Sequence, residues 1–137
     1  MTTAKKSKVL IIDDDKMNVV SLGSSLKQKY DVIIAMNGEE GLEAAEQQLP
    51  DIILLDVVMP GLTGYEVLAK LKSMNSTKDI PVLIISGLDS DIDEEKGLLL
   101  GASDFITKPY NKEILKKRIE THLLLAAYIR EDNRNSL

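Results

Sequence analysis

Three aspartates, Asp13, Asp14 and Asp15, follow directly on the apolar run at residues 9–12. A fourth, Asp56, closes the run at 52–55, Ser86 closes the run at 82–85, and Lys108-Pro109 follows the weaker run Phe105-Ile106. Each feature alone has an ordinary reading. An acidic run is commonly a solvated turn, an aspartate after a strand commonly caps a loop, and Ser-Gly or Lys-Pro marks a turn. Their joint occurrence at the ends of successive apolar runs is harder to assign to structure alone. Carboxylates gathered within a few ångströms repel one another, so some protonate or a cation compensates. A hard divalent ion accepts oxygen ligands of this kind; Mg²⁺ takes one or two carboxylates and keeps several waters, and Mn²⁺ suits the same ligands. With the ion and the Lys108 ammonium offsetting the negative charge, a dianionic phosphoryl group can bind and the Ser86 hydroxyl can donate to it. Asp56 can then attack phosphorus and form an acyl phosphate.

This chemistry requires elements that bring the run ends together. The runs at 9–12, 32–35, 52–55 and 82–85 and the pair Phe105-Ile106 are rich in Val and Ile and do not alternate with polar residues. Strands buried on both faces of a helix-covered parallel sheet read this way. Between them Val19, Leu22 and Leu26, then Leu42, Ala45 and Leu49, then Val67 or Leu68 with Leu71, recur at helical spacing. Ile114, Leu115 and Ile119 begin a last helix behind Asn111, a suitable N-cap. The expected fold class is therefore α/β: a doubly wound five-stranded parallel sheet with right-handed crossovers and helices on both faces. Strand order does not follow from the runs themselves. In the flavodoxin-like (βα)5 order 2-1-3-4-5, the switch point between strands 1 and 3 gathers Asp13, Asp14 and Asp56 in one shallow pocket, with Ser86 and Lys108 on its far side. Residues 8–129 are expected to form one domain, with flexible ends at 1–7 and 130–137.

Composition narrows the function classes. The chain has 137 residues, 44% of them hydrophobic, enough to bury a core. Seventeen Lys and Arg against 22 Asp and Glu leave a formal charge of −5, which argues against direct nucleic-acid binding over the domain surface. There is no cysteine, and His122 is the single histidine, so disulfides, Cys-zinc sites and multi-His metal sites are excluded. No apolar run reaches membrane-spanning length, and the basic start MTTAKKSK precedes too short an apolar stretch for a signal peptide. A cytoplasmic protein is the default expectation.

The chain resembles the receiver domains of two-component response regulators, including the chemotaxis regulators, over about residues 8–125. The resemblance rests on VLIIDDD at 9–15, DIILLDVVMPGLTGYEVL at 51–68, PVLIISG at 81–87 and GASDFITKPY at 101–110. It implies that Asp56 is the phosphoacceptor of a bacterial phosphorelay. Asp13 and Asp14 would be the acid pair for Mg²⁺, Asp14 the more direct ligand, with the Val58 backbone carbonyl completing the set. Ser86 would sense the phosphoryl group, Lys108 would be its basic partner, the Lys108-Pro109 bond would be cis, and Phe105 would be the aromatic switch residue. The phosphodonor would be a phosphohistidine on a sensor histidine kinase or phosphotransfer protein. The output would be a downstream protein partner or an output domain outside this sequence, read through a changed helix 4–strand 5–helix 5 surface that could also form a homodimer.

Several features are particular to this sequence. Phe105 carries no hydroxyl, so its inward position leaves no polar group to satisfy. Val58 and Leu88 are apolar where a hydrolytic water would pass, which predicts a long-lived phosphoaspartate. Residues 89–95, DSDIDEE, read as an acidic helix start, and Gly97 makes that helix pliable. Leu98, Leu99 and Leu100 cannot all face a core. Leu115, Ile119, His122, Ala126 and Ile129 form a heptad-like seam, and LLLAAYI at 123–129 is either a partner contact or a fully buried helix end. The competing function is a metal-dependent phosphohydrolase using Asp13-x-Asp15 and an aspartyl-phosphate intermediate, although Met17 stands where that family carries Thr or Val. A pseudoreceiver that only binds partners and a flavin-binding domain fit less well, since the Asp-Ser-Lys set is intact and no phosphate loop follows strand 1.

Overall fold

A computed structural model describes residues 5–59, 61–87 and 91–135. Among these, five parallel strands form one sheet in the order β2-β1-β3-β4-β5. The elements follow one another as β1 (Lys8–Ile12), α1 (Lys16–Leu26), β2 (Asp31–Ala35), α2 (Gly38–Gln48), β3 (Ile52–Leu55), α3 (Gly64–Ser73), β4 (Val82–Ser86), α4 (Asp91–Leu99), β5 (Asp104–Thr107) and α5 (Lys112–Asn135). The flavodoxin-like α/β architecture and strand order are those expected.

Two cores explain why the strands do not alternate. Leu10, Ile12, Ile53, Leu55, Ile84 and Phe105 point to one side, where Ala45 of α2 and Val67, Leu68 and Leu71 of α3 cover them. Val9, Ile11, Ile52, Leu54, Leu83 and Ile85 point to the other, under Val19, Leu22 and Leu26 of α1 and Leu115 and Ile119 of α5. Successive strand residues face opposite ways, and both faces are covered, so each position must be apolar. Two helices approach the sheet too closely for a side chain. A Cβ on Gly41 would lie 2.5 Å from Ile12 Cδ1, and one on Gly97 would lie 2.6 Å from Ile84 Cδ1 and 3.4 Å from Phe105 Cδ2. Gly97 is therefore favoured by packing, and its propensity cost in α4 is offset by close contact with β4 and β5.

Side-chain caps set the helix starts. Asp15 caps α1, Asn37 caps α2, and Asn111 accepts from the N–H groups of Glu113 and Ile114 ahead of α5. Thr63 and Glu66 form a reciprocal capping box at α3. Leu49, expected on the buried side of α2, instead ends that helix in a left-handed conformation (φ 47°) with its side chain exposed. The last helix runs on to Asn135, past residue 130 where the sequence suggests a flexible tail. Within it Leu115 and Ile119 are buried, while Leu124, Leu125, Tyr128 and Ile129 are exposed, so LLLAAYI is no buried helix end. Leu98 and Leu99 are exposed and Leu100 packs against the core. Asp89 and Ser90 of the acidic stretch, and Leu88, lie outside the described residues; α4 opens with Asp91, Asp93 and Glu94. Among the described residues no helix is long and apolar enough to cross a membrane.

Candidate functional site

Strand register brings the carboxylates together. Ile12 lies opposite Leu55 in the β1–β3 pair, so Asp13 and Asp56 leave adjacent strands side by side. Their backbones are held by the continuing ladder: Asp13 N–H donates to Ala35 O at 3.1 Å, and Asp56 N–H to Ile12 O at 2.9 Å. Both side chains are buried. Each spends one oxygen on its own loop. Asp13 Oδ1 accepts from Asp15 N–H at 2.9 Å, and Asp56 Oδ1 accepts from Val58 N–H at 2.9 Å. The other oxygens face Lys108, whose Nζ lies 3.3 Å from Asp56 Oδ2 and 3.7 Å from Asp13 Oδ2.

Asp14 is exposed at the rim, and one carboxylate oxygen from each of Asp13, Asp14 and Asp56 lies within 4.8 Å of the others. An all-oxygen donor set, two members buried and one open to solvent, fits a hard cation that keeps part of its water shell. The electrostatics agree. Burial pushes the Asp13 carboxyl above its usual range, with the charge of Asp56 acting in the same direction against the Asp15 N–H and Lys108. Burial works to lower the Lys108 ammonium, but the attraction of Asp56 and Asp13 outweighs it and holds the group above its ordinary value. The site thus carries one firmly charged cation and surplus negative charge.

Ser86 ends β4 fully buried, and its carbonyl accepts from Lys108 N–H at 2.7 Å. The Lys108-Pro109 bond is cis. Phe105 lies opposite Ile84 across the β4–β5 pair, buried against Gly97 of α4. Val58 is exposed beside the acidic cluster. The cleft lined by Asp13, Asn18, Asp56, Lys108 and Tyr110 offers only about 10 Å³. That is room for about one water or ion. A groove of about 470 Å³ lies at the opposite, amino end of the strands, between Pro50, Ile80, Pro81 and the last turns of α5.

Other contacts around the cluster carry little or no signal in the sequence. Asp15 turns away from the cluster and accepts from Met17 and Asn18 N–H groups, so it is committed to capping. The two-aspartate hydrolase reading pairs Asp13 with Asp15, whereas the residue that joins Asp13 and Asp56 in the cluster is Asp14. Gly64 packs on the Asp56–Val57 peptide: its N–H donates to Val57 O at 3.2 Å, and a Cβ there would lie 2.4 Å from Asp56 O and 2.3 Å from Val57 Cα. Tyr65 ties α3 to α4, its hydroxyl donating to Asp93 O at 3.2 Å and its ring lying under Lys96 Nζ at 4.4 Å. His122 Nε2 lies 3.1 Å from Asp104 Oδ2, a carboxylate that also binds Arg118 at 2.8 and 3.0 Å. Gly64 has a signal in the sequence, as part of a recognisable motif; the Asp15 cap is local but hidden among three consecutive aspartates, and the Tyr65 and Asp104 contacts are long-range pairings with no local pattern.

The profile of the response regulator receiver domain matches residues 9–120. Over 116 residues the chain is 44% identical to the response regulator PleD of Caulobacter vibrioides, covering 84% of this chain and 26% of PleD. It is 37% identical over 118 residues to protein PilH of Pseudomonas aeruginosa, covering 85% of this chain and 98% of PilH. The chain thus spans about a quarter of one relative and nearly the whole of the other. A CheY-like receiver domain protein from Methanospirillum hungatei JF-1 superposes with a TM-score of 0.85 at 27% identity, over 90% of this chain and 98% of that one. Strand order, the clustered aspartates beside Lys108 and the match over residues 9–120 converge: this chain belongs to the response regulator receiver domain family.

Proposed function

We propose that this chain is a phosphorylation-activated switch in which Asp56 accepts a phosphoryl group from a phosphohistidine of a sensor histidine kinase or phosphotransfer protein. The observation that carries the reading is the shared Lys108 ammonium, bridging Asp56 and Asp13 beside the exposed Asp14. Asp13, Asp14, Asp56 and the Val58 carbonyl would hold Mg²⁺ or Mn²⁺, which when bound supplies positive charge to the phosphoryl oxygens. Asp56 attacks in line, the histidine N–P bond breaks as the Asp56 O–P bond forms, and Lys108 stays paired with the acyl phosphate. The exposed apolar side chains of Met17 and Val58 near the cluster suit a protein donor docking over the site.

Ser86 donates its hydroxyl to the new phosphoryl group, and Phe105, packed between Ile84 and Gly97, transmits that movement to α4, β5 and α5. The changed surface is read by a downstream protein or an output domain, or by a second copy across the same face. Within this reading the chain is a regulatory phosphoacceptor in the cytoplasm and no turnover enzyme. Incubation with a small phosphodonor tests it. Mg²⁺-dependent label is expected at one phosphoryl group per chain and is lost in Asp56→Asn; steady hydrolysis of a phosphate ester would favour the phosphohydrolase.

A further inference from the structure

Helix α5 is longer than the sheet it covers. Its 24 residues span about 36 Å at 1.5 Å per residue. The strands, four or five residues each, run about 13–17 Å. The helix runs back from the carboxyl end of β5, so its second half overhangs the amino ends of the strands. Burial along its inward stripe falls accordingly: Leu115 and Ile119 are buried, His122 and Ala126 half-buried, and Ile129 is 53% exposed. Beneath the overhang lies the groove of about 470 Å³, floored by Pro50, Ile80 and Pro81 and walled by Leu125, Ala126 and Ile129. That size and that lining suit a small ligand with an apolar body.

Charge in the groove runs against that of the chain. The formal charge of the whole is −5, yet Lys72, Lys78 and Arg130 line the groove against Asp51 and Asp79, a surplus of one cation. Two further polar groups there are already engaged: Asp51 Oδ2 accepts from Lys8 N–H at 2.7 Å, and His122 Nε2 lies 3.1 Å from Asp104. Lys72 is held in place. Its stem lies over Gly101, where a Cβ would come within 3.1 Å of Lys72 Cγ. Its Nζ donates to Lys78 O at 3.0 Å and to Ile80 O at 2.8 Å. An ammonium has three N–H donors, so one is left for a ligand. Burial holds this ammonium below its ordinary pKa, outweighing the attraction of Asp79. An anion beside it would supply the charge that burial takes away.

We propose that this groove binds a small amphipathic carboxylate, its apolar chain lying under α5 against Pro81 and Ile129 and its head accepting from Lys72 Nζ. One free N–H and one surplus cation match a head of single negative charge. Arg130 and Lys78 add positive potential along the groove. The site lies at the opposite end of the sheet from Asp13 and Asp56, so it stands whether or not Asp56 accepts phosphorus.

Titration of the isotope-labelled whole chain with decanoate, decanol and decyltrimethylammonium, followed by NMR, tests the assignment. Decanoate should give saturable amide shifts confined to residues 78–80, 103 and 122–133, with a Kd below about 1 mM. Decanol should bind about tenfold more weakly, and the cation more weakly still. Lys72→Met keeps the stem and should reduce decanoate to the affinity of decanol. Ile129→Glu, a change at an exposed position, should abolish decanoate binding with the urea melt unchanged. Asp56→Asn should bind decanoate as the native chain does. The proposal is overturned by decanoate shifts that are absent up to about 1 mM or spread over the domain. It is equally overturned by decanol binding as tightly as decanoate, or by decanoate binding that is indifferent to Lys72→Met or to Ile129→Glu.

Discussion

Replacing Gly64 by alanine should damage both the stability and the chemistry of this domain, and the structure ranks the damage against two other glycines. A Cβ at Gly64 would sit 2.3 Å from Val57 Cα and 2.4 Å from Asp56 O, both backbone atoms. No rotamer change relieves that clash, so α3 or the loop after β3 must shift. Overpacking of this kind costs about 1–3 kcal/mol, occasionally more, and the backbone contact puts Gly64→Ala at about 3 kcal/mol. For a domain of this size that is a fall in Tm of about 10 °C. The displaced peptide belongs to Asp56, so its geometry against Lys108 changes too, and a misplacement near 1 Å can cost about 100-fold in rate. At Gly97 the clashing atom is the tip of Ile84, which can swing aside, so Gly97→Ala should cost about 1–2 kcal/mol. A Cβ at Gly87 meets nothing within 4 Å among the described residues, so Gly87→Ala should be neutral or stabilising by about 0.4–1 kcal/mol. Urea unfolding of the three variants, with phosphorylation rates from a small donor, measures the series. Equal stabilities, or Gly64→Ala retaining the native rate, would refute the reasoning.

The Asp104 ion pairs give a pH signature. Burial alone would raise this carboxyl, but hydrogen bonds from Arg118 and His122 and from the Phe105 N–H hold it below the usual range. Its contribution is therefore complete above the ordinary carboxylate pKa and is lost as pH falls through the lowered folded value. Asp104→Asn should cost about 1–2 kcal/mol at neutrality, with the gap closing in acid; a gap that widens in acid urea melts contradicts the assignment. Tyr65→Phe keeps the ring under Lys96 and removes the hydroxyl bond to Asp93 O, so α4 amides should lose protection from hydrogen exchange by about fivefold, near 1 kcal/mol. Unchanged α4 exchange would show that the hydroxyl does not hold the helix. The apolar side chain of Val58 cannot orient a water, so label on Asp56 should persist for minutes or longer and Val58→Asn should shorten its life; loss of native label within seconds of donor removal counts against this.

Periodicity was enough to read the sheet, because strands buried on both faces cannot hide their composition. The run at 52–55 coincides with β3, and the other runs fall short by a residue at one or both ends. Helix ends were less visible. Leu49 fits the apolar spacing of α2, yet the chain turns left-handed there and exposes it. The end of α5 is hard to read for a related reason: polar residues after 130 look like a tail, although a polar helix turn has the same composition. The acidic cluster was legible because parallel register converts strand ends into neighbours. The role of Asp15 was not, since three consecutive aspartates look alike until one is seen capping α1. The Asp104–Arg118–His122 and Tyr65–Lys96 contacts join residues distant in sequence, and no local pattern announces them.

Gly41 fixes the alignment of β1. Parallel strands apolar on both sides have no polarity difference to penalise slippage, so hydrophobicity by itself would tolerate a one-residue slide. The notch at Gly41 accepts the Ile12 side chain, and the matching notch at Gly97 accepts Ile84. A slide of β1 would present a different side chain to the first notch and would carry Asp13 out of step with Asp56. Shape complementarity under two helices thus acts as a ruler, and mutational drift in the surrounding loops can proceed without moving the carboxylates.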